Sequence, residues 1–467
     1  MSGSSDPVEF FADVAARHRR CFWLDGGGAR EWSGRRSLIG WLDEFDVSLT
    51  YDARRGTVSR HSVGSSVEVG TDVFAVLEEE LAAGAESDQW FGYFGYAARP
   101  DLPASVGSPM PDAIWMRARN VRLFDHEPAP SHPAQSRRLE QGAAEEPAPS
   151  ARSRRLEQGA AEEPAPSARL RSLEQGSSEN PARSARLRGD DLPPRSYADA
   201  FARVQDHLLA GNSYEVNLTY RLEQDSPLTP VEAYLRLREL NPAPYAGFLQ
   251  HDLPGARGWL LSSSPERYAL VTEDRTLETK PIKGTTPRAA DPDEDERQRK
   301  ELATHPKFRA ENLMIVDLLR NDLSMVCEAG TVEVPVLMEV ESYQSVHQLV
   351  STVRGRLRDD VSTPAALRAL FPAGSMTGAP KLRTMEIIEE VEDGPRGPYA
   401  GAFGWVSGNG CADLGVVIRS LTTTGDGRYT LGTGGGITVQ SDASEEYAES
   451  RWKAERLLRA LEVLDVS

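Results

Sequence analysis

The stretch GWLLSSSPERYALV (258–271) is followed after only four residues by TLETKPIKGT (276–285). Both are rich in strand-forming residues, and the gap between them is too short for a helix, so one strand leads directly into the next. The pattern recurs downstream. TVEVPVLMEVESY (331–343) leads into VHQLVSTVRGRL (346–357), and AGAFGWVSG (400–408), ADLGVVIRSLTTT (412–424) and RYTLGTGG (428–435) succeed one another. A parallel sheet would need a long crossover at each step. The expected class is therefore α+β: large, mainly antiparallel sheets forming a sandwich, with helices on the outer faces.

Working outward, YEVNLTYRL (214–222) is a further strand, preceded by an amphipathic helix over 196–210 with Phe201, Val204, Leu208 and Leu209 along one side. Other helices are expected near 297–323, 363–371, 379–392 and 444–464. Residues 1–127 read as an N-terminal α+β region packing on the catalytic part, 193–467. In that region EFFADVAARH (9–18) and TDVFAVLEEELAAG (71–84) suit helices, and RCFWLDGGG (20–28) and DVSLTYDA (46–53) suit short strands. QWFGYFGYAA (89–98) suits a strand packed closely against another backbone.

Between these parts, SRRLEQGAAEEPAPSAR begins at Ser136, recurs at Ser153 and returns in degenerate form at Leu170, a period of 17 residues. The copies are rich in Ala, Glu, Pro, Ser and Arg and too polar to offset chain entropy by burial. Residues 128–192 are expected to be a disordered low-complexity insertion.

The chain of 467 residues carries a net charge of −18, which argues against a nucleic-acid partner. Cys21, Cys327 and Cys411 show neither paired nor metal-type spacing, so a reducing, cytoplasmic setting fits. There is no signal-peptide pattern at the start and no apolar run of membrane-spanning length, so no membrane association is expected.

Several residues are candidates for chemistry. Lys283, in ETKPIKGTTPR (278–288), sits at a strand end beside a permissive turn. A free lysine is almost wholly protonated at neutral pH. To act as a nucleophile it needs burial or neighbouring cations, for which Lys280 and Arg288 are candidates. Read alone, the segment favours an ordinary surface lysine on a turn. Glu266, in SSSPER (262–267), is a general-acid candidate if burial raises its pKa. Glu311 opens AENLMIVDLLRNDL (310–323), an all-round apolar helix, where it is either a cap or a metal ligand. Glu446, Glu449 and Lys453 share one face of the last helix. With Glu311, these carboxylates suit an oxygen-ligand site for Mg2+, although Glu449–Lys453 is also a common surface pair. GSMTGAPK (374–381) and GTGGGITVQSD (432–442) are glycine-rich and could offer backbone N–H groups to an anion, or form tight turns.

Taken in order, SSSPER, KPIKGTTPR, RAENLMIVDLLRNDL, VHQLVST, FPAGSMTGAPK, PYAGAFGW, GVVIRSL and GGGITVQSD with EEYAESRWKA closely resemble the chorismate-utilising enzyme family, over about 262–454 and back to YEVNLT at 214. The resemblance implies an anthranilate synthase component I-like fold. Within the family, Lys283 points to the aminodeoxychorismate synthase branch, since anthranilate synthases usually carry Ala there. It implies chorismate as substrate and ammonia from a partner glutamine amidotransferase subunit. The product would be 4-amino-4-deoxychorismate, the precursor of p-aminobenzoate. The alternative is anthranilate or 2-amino-2-deoxyisochorismate.

By the same resemblance Lys283 adds covalently to the ring while Glu266 protonates the departing hydroxyl. Glu311 and Glu449 hold Mg2+, with Glu446 adjacent. Arg419, Tyr399, Lys453 and the backbone at Gly435 and Gly436 hold the substrate carboxylates, while Thr377 and His347 line the pocket. Glu215 departs from the pattern, standing where isochorismate and salicylate synthases carry a water-activating Lys and many relatives carry Gln. The segment WLDGGG lacks the Leu-Leu-Glu-Ser motif of tryptophan-inhibited anthranilate synthases. None of the three cysteines lies in a glutaminase-type nucleophile turn, hence the separate glutaminase.

Overall fold

The computed structural model describes residues 6–26, 36–126, 192–343 and 346–462. The 17-residue repeats and the insertion expected around them lie outside the described residues. Among the described residues, two antiparallel sheets, of nine and twelve strands, carry the fold. The nine-stranded sheet runs in the order Gly378–Ala379, Glu215–Asp225, Arg428–Ile437, Ser420–Thr423, Gly258–Ser264, Tyr245–His251, Arg20–Asp25, Arg36–Trp41, Asn120–Asp125. The other sheet starts at Ile282–Pro287 and passes through Val346–Arg356, Thr276–Lys280, Arg267–Val271, Ala412–Val416 and Ala402–Ser407 to Gln89–Phe94 and the remaining N-terminal strands. Glu333–Ser342 pairs along Val346–Arg356. Both sheets thus mix strands from before residue 126 with strands from after 214.

Alternation along the strands explains the layering. Phe22, Leu249 and Leu260 point inward from the first sheet and meet Phe91, Tyr93, Ile114 and Phe403 of the second. Phe22 and Phe91 stack with centroids 3.9 Å apart. Their sequence neighbours Trp23, Phe248 and Leu261 point the other way and are covered by helices Pro7–Arg17, Pro230–Leu240 and Ala443–Leu461. The far face of the second sheet is covered by Val73–Ala83, Pro306–Ser324 and Thr363–Leu370. Strands covered on both faces read as continuous apolar runs.

Three expectations change. The single helix near 297–323 is two, Pro292–Thr304 and Pro306–Ser324, because Pro306 pushes His305 into extended backbone at φ −62°, ψ 120°. Glu311 therefore lies in the second turn and does not cap the helix. That helix is also not apolar all round: Ile315, Val316, Leu319 and Leu323 are buried, but Leu313 is 53% exposed. Helix Pro230–Leu240, with a Thr229–Glu232 capping box, has only a weak apolar stripe and was not expected from the sequence.

Candidate active site

A pocket opens where the two sheets diverge, at the ends of strands Glu215–Asp225 and Arg428–Ile437 and beside helices Pro306–Ser324 and Ala443–Leu461. Lys283 lies on its wall, where the pairing of Ile282–Pro287 with Val346–Arg356 slips between Ile282 and Thr285. The slip turns the amine inward instead of leaving it on a surface turn. Lys283 Nζ donates to Glu215 Oε1 at 2.5 Å, and the Glu215 side chain is wholly buried. Burial works against the ammonium, yet Glu215, Glu311 and Glu266 outweigh it and hold the Lys283 pKa above its usual value. The expected neighbouring cations are engaged elsewhere: Lys280 with Glu341 at 2.7 Å and Arg288 with Asp295 at 2.6 Å. Lysine 283 is thus surrounded by acids, the reverse of the environment anticipated from sequence.

Glu266 occupies the turn between Gly258–Ser264 and Arg267–Val271 and is 5% exposed. Burial pushes its pKa up to about 7, against the opposing effects of the Ser375 hydroxyl, Lys283 and the Ile282 backbone. Ser375 Oγ donates to Glu266 Oε1 at 2.7 Å. A buried carboxyl that is substantially protonated near neutrality suits proton donation to a leaving oxygen.

A second cluster lines the opposite end. Lys307 Nζ lies 2.8 Å from Glu446 and 3.9 Å from Glu311. Lys453 Nζ pairs with Glu449 at 2.9 Å and donates to the Gly434 carbonyl at 3.0 Å. Glu311 Oε1 is buried without a hydrogen-bond partner, and burial raises its pKa. Glu449 is pulled below the usual carboxylate range, chiefly by Lys453. Among the described residues no three His, Cys, Asp or Glu side chains form a ready-made metal cage. A cation that keeps several waters needs only one or two carboxylates, and the Glu311 oxygen, which accepts no hydrogen bond, in a pocket also lined by Glu449 fits that requirement.

The glycine-rich segment 432–436 is a strand and not an anion-binding loop. It pairs residue by residue with Glu215–Asp225. A Cβ on Gly432 would fall 2.3 Å from the Tyr399 ring, and one on Gly436 would fall 2.2 Å from Glu215 Oε1. These glycines admit the side chains that build the pocket. Arg221 stacks 4.9 Å from the Tyr399 ring centroid and holds it in place. Arg419 reaches the pocket from a residue with φ +51°, and its guanidinium lies 5.6 Å from the Trp452 ring. Burial lowers the Arg419 pKa to about 10. A planar, partly desolvated guanidinium is well suited to grip a carboxylate.

Of the residues singled out in the sequence, Lys283, Glu266, Arg419, Tyr399, Lys453, Gly435, Gly436, Glu311, Glu446 and Glu449 all line this pocket. Two do not. Thr377 is wholly buried, with its hydroxyl donating to the Gly374 carbonyl at 3.2 Å. His347 is a correction by one residue: it faces away, its ring nitrogens 2.7 Å from Ser342 Oγ and 3.1 Å from Asp295 Oδ1. Successive strand residues point to opposite faces, so Gln348 lines the pocket instead, and its buried Oε1 has no partner. Asn217, Lys307 and Ser375 also line it and were missed. Asn217, inside YEVNLT, could have been found from its period-2 relation to Glu215.

A family model described as chorismate binding enzyme matches residues 19–459. The aminodeoxychorismate synthase of Streptomyces pristinaespiralis is 40% identical over 465 residues, covering 97% of this chain and 62% of that protein. The chain thus spans about three fifths of that relative's length. Anthranilate synthase component 1 of Streptomyces coelicolor is 37% identical, over 79% of this chain and 72% of its own. The crystal structure of anthranilate synthase component I from Streptococcus pneumoniae superposes with a TM-score of 0.66 at 23% identity, covering 91% of this chain and 92% of that one. That likeness shows the shared sandwich fold. With the family match spanning nearly the whole sequence, the chain belongs to the chorismate binding enzyme family.

Proposed function

We propose that this chain aminates chorismate at ring carbon 4 to give 4-amino-4-deoxychorismate, with ammonia supplied by a separate glutamine amidotransferase. The observation that carries the reading is one lysine, Lys283, turned into a pocket beside a carboxyl, Glu266, pushed up to about 7 by burial. The 4-hydroxyl is a poor leaving group, and this pair divides the substitution into two easier steps. Lys283 attacks ring carbon 2, the ring double bond shifts, and the 4-hydroxyl departs as water with the Glu266 proton. Ammonia then attacks carbon 4 and the bond to Lys283 breaks.

Arg419, Lys453 and the Tyr399 hydroxyl orient the substrate carboxylates. Glu311 and Glu449, with Glu446 behind them, would hold Mg2+. When bound, that ion would supply positive charge to the ring carboxylate. The relatives named aminodeoxychorismate synthase support this reading. Among the described residues no helix is long and apolar enough to cross a membrane.

The test is product analysis with chorismate, MgCl2 and ammonium chloride. Mass spectrometry and NMR should give an amine on carbon 4, and Lys283→Ala should abolish its formation. An amine on carbon 2 would instead mark the anthranilate-type reaction, the activity named for the Streptomyces coelicolor relative.

A further inference from the structure

Lys283 is held as an ammonium by the carboxylates around it, yet an amine with a bonded fourth substituent cannot attack carbon. Its extra proton needs an acceptor inside the pocket. Glu266 must arrive protonated to release the hydroxyl, so it cannot serve. Glu215 begins strand Glu215–Asp225, is wholly buried, and its Oε1 lies 2.5 Å from Lys283 Nζ. Its Oε2 is equally buried and has no hydrogen-bond partner. Gly436 keeps the contact close, since a Cβ there would fall 2.2 Å from Glu215 Oε1 and 3.1 Å from Lys283 Nζ. Most buried side-chain oxygens have a partner, so an open one on a carboxylate already bonded to a reactive amine calls for a reason.

We propose that Glu215 is a catalytic residue that takes the ammonium proton of Lys283 across their hydrogen bond and returns it when the lysine is expelled. The proposal deepens the function given above and rests on it. Transfer converts an ion pair into a neutral amine beside a neutral carboxyl, and the loss of two desolvated charges together offsets part of the cost of taking a proton that the surrounding acids hold on the lysine. The amine's lone pair then forms the bond to ring carbon 2. The carbon 4–oxygen bond breaks, and the hydroxyl leaves as water with the Glu266 proton. Ammonia bonds to carbon 4 and the carbon 2–lysine bond breaks, releasing a neutral amine. Glu215 re-protonates that amine, and the new ammonium on carbon 4 returns one proton to Glu266. Chorismate and ammonia become aminodeoxychorismate and water, with both carboxyls and the lysine restored.

The experiment compares wild type, Glu215→Gln, Glu215→Asp and Lys283→Ala from pH 6.5 to 9.5, with chorismate, MgCl2 and saturating ammonium. The quantity read is the ratio of each variant's kcat to that of wild type. The Lys307–Glu446 and Lys453–Glu449 pairs, Glu311, Glu266 and Arg419 also face the pocket. They are common to all the proteins, so their titration cancels in the ratio. Glu215→Gln keeps the shape and an accepting oxygen but not the basicity. Its ratio should fall about a hundredfold at pH 7 and climb toward one as pH rises, because solvent then removes the proton. Glu215→Asp should be slower but with a ratio that does not change with pH. Circular dichroism identifies any variant that fails to fold, and Glu215→Asp carries the test if Glu215→Gln does not fold.

A Glu215→Gln ratio near one at pH 7, or one that stays low and flat, would overturn the role of Glu215, as would an Asp ratio that climbs with pH. Retention of activity by Lys283→Ala would instead remove the covalent reading itself. The two failures are therefore distinguishable in one data set.

Discussion

Two buried glutamates stand against the same strand, Glu215–Asp225, and they are treated in opposite ways. Glu392, at the end of helix Lys381–Val391, accepts from Thr219 N and Oγ1, from Arg396 Nε and Nη2 and from Arg221 Nη2, at 2.6–3.3 Å. Both of its oxygens are satisfied. Glu215 accepts from Lys283 through one oxygen, and the other has no partner. The first arrangement fixes geometry: it holds Arg221 over the Tyr399 ring and Arg396 over Tyr96. The second leaves a buried charge incompletely satisfied beside a reactive amine. An unsatisfied buried group costs stability, and beside a reactive amine the open oxygen has a chemical use.

The contrast can be broken at either end. The largest effect should come from the reacting groups. Lys283→Ala should abolish amination, and Glu266→Gln should lower kcat by about 10^2- to 10^4-fold, both read as product formed per enzyme by mass spectrometry. The fold should survive both.

Glu392→Ala should do the opposite and act mainly on stability. It leaves the buried Arg396 and the part-buried Arg221 without their counter-charge, and the unfolding free energy from urea titration should drop by about 3–5 kcal/mol. Glu215→Gln, which retains an acceptor for Lys283, should stay within about 1.5 kcal/mol of wild type in the same titration. Equal losses at the two positions would erase the distinction.

The comparison sharpens at Glu266, whose folded-state pKa of about 7 lies above the ordinary 4.5. Below pH 4.5 the group is protonated in both states and burial costs little. As pH rises through 7 the unfolded chain is already ionised while the folded one resists, so stability is lost. Glu266→Gln should therefore stabilise the fold by roughly 3 kcal/mol at most near pH 8, and by almost nothing near pH 4.

Smaller effects are expected at the carboxylate-rich end. Glu446→Gln should weaken Mg2+ binding by about 10- to 100-fold in a calorimetric titration of the protein without substrate. Smallest of all is a pair of neighbours: Gln348→Ala should raise KM for chorismate several-fold, while His347→Ala should leave KM unchanged and only loosen the Ser342–Asp295 contacts. An effect of His347→Ala on KM would contradict the strand phase described above.

Much of this site was legible in the chain. The order of strands without helices between them implied antiparallel sheets, and the motifs around Lys283, Glu266 and Arg419 brought ten of the twelve expected residues to one pocket. The failures share a cause. Period 2 along VHQLVST says that His347 and Gln348 face opposite sides, but not which side is the pocket. The glycines of 432–436 read both as a strand and as a possible anion-binding turn, because the reason for them, side chains arriving from residues 215 and 399, is remote in sequence. Helix Pro306–Ser324 looked apolar all round because sequence shows composition, not which face a sheet covers.

For Lys283 the division is clearest. The sequence by itself determined that the chain folds as antiparallel sheets and carries an amine with the motifs of a chorismate-binding enzyme around it, because short-range patterns of polarity and turn residues are local properties. Only the tertiary structure decided what surrounds that amine. Glu215 is 68 residues away along the chain and Glu311 lies on a helix beyond it. The sequence suggested cations to lower the pKa. The fold supplied carboxylates that raise it, because electrostatic environment is set by distance in space and by exclusion of water.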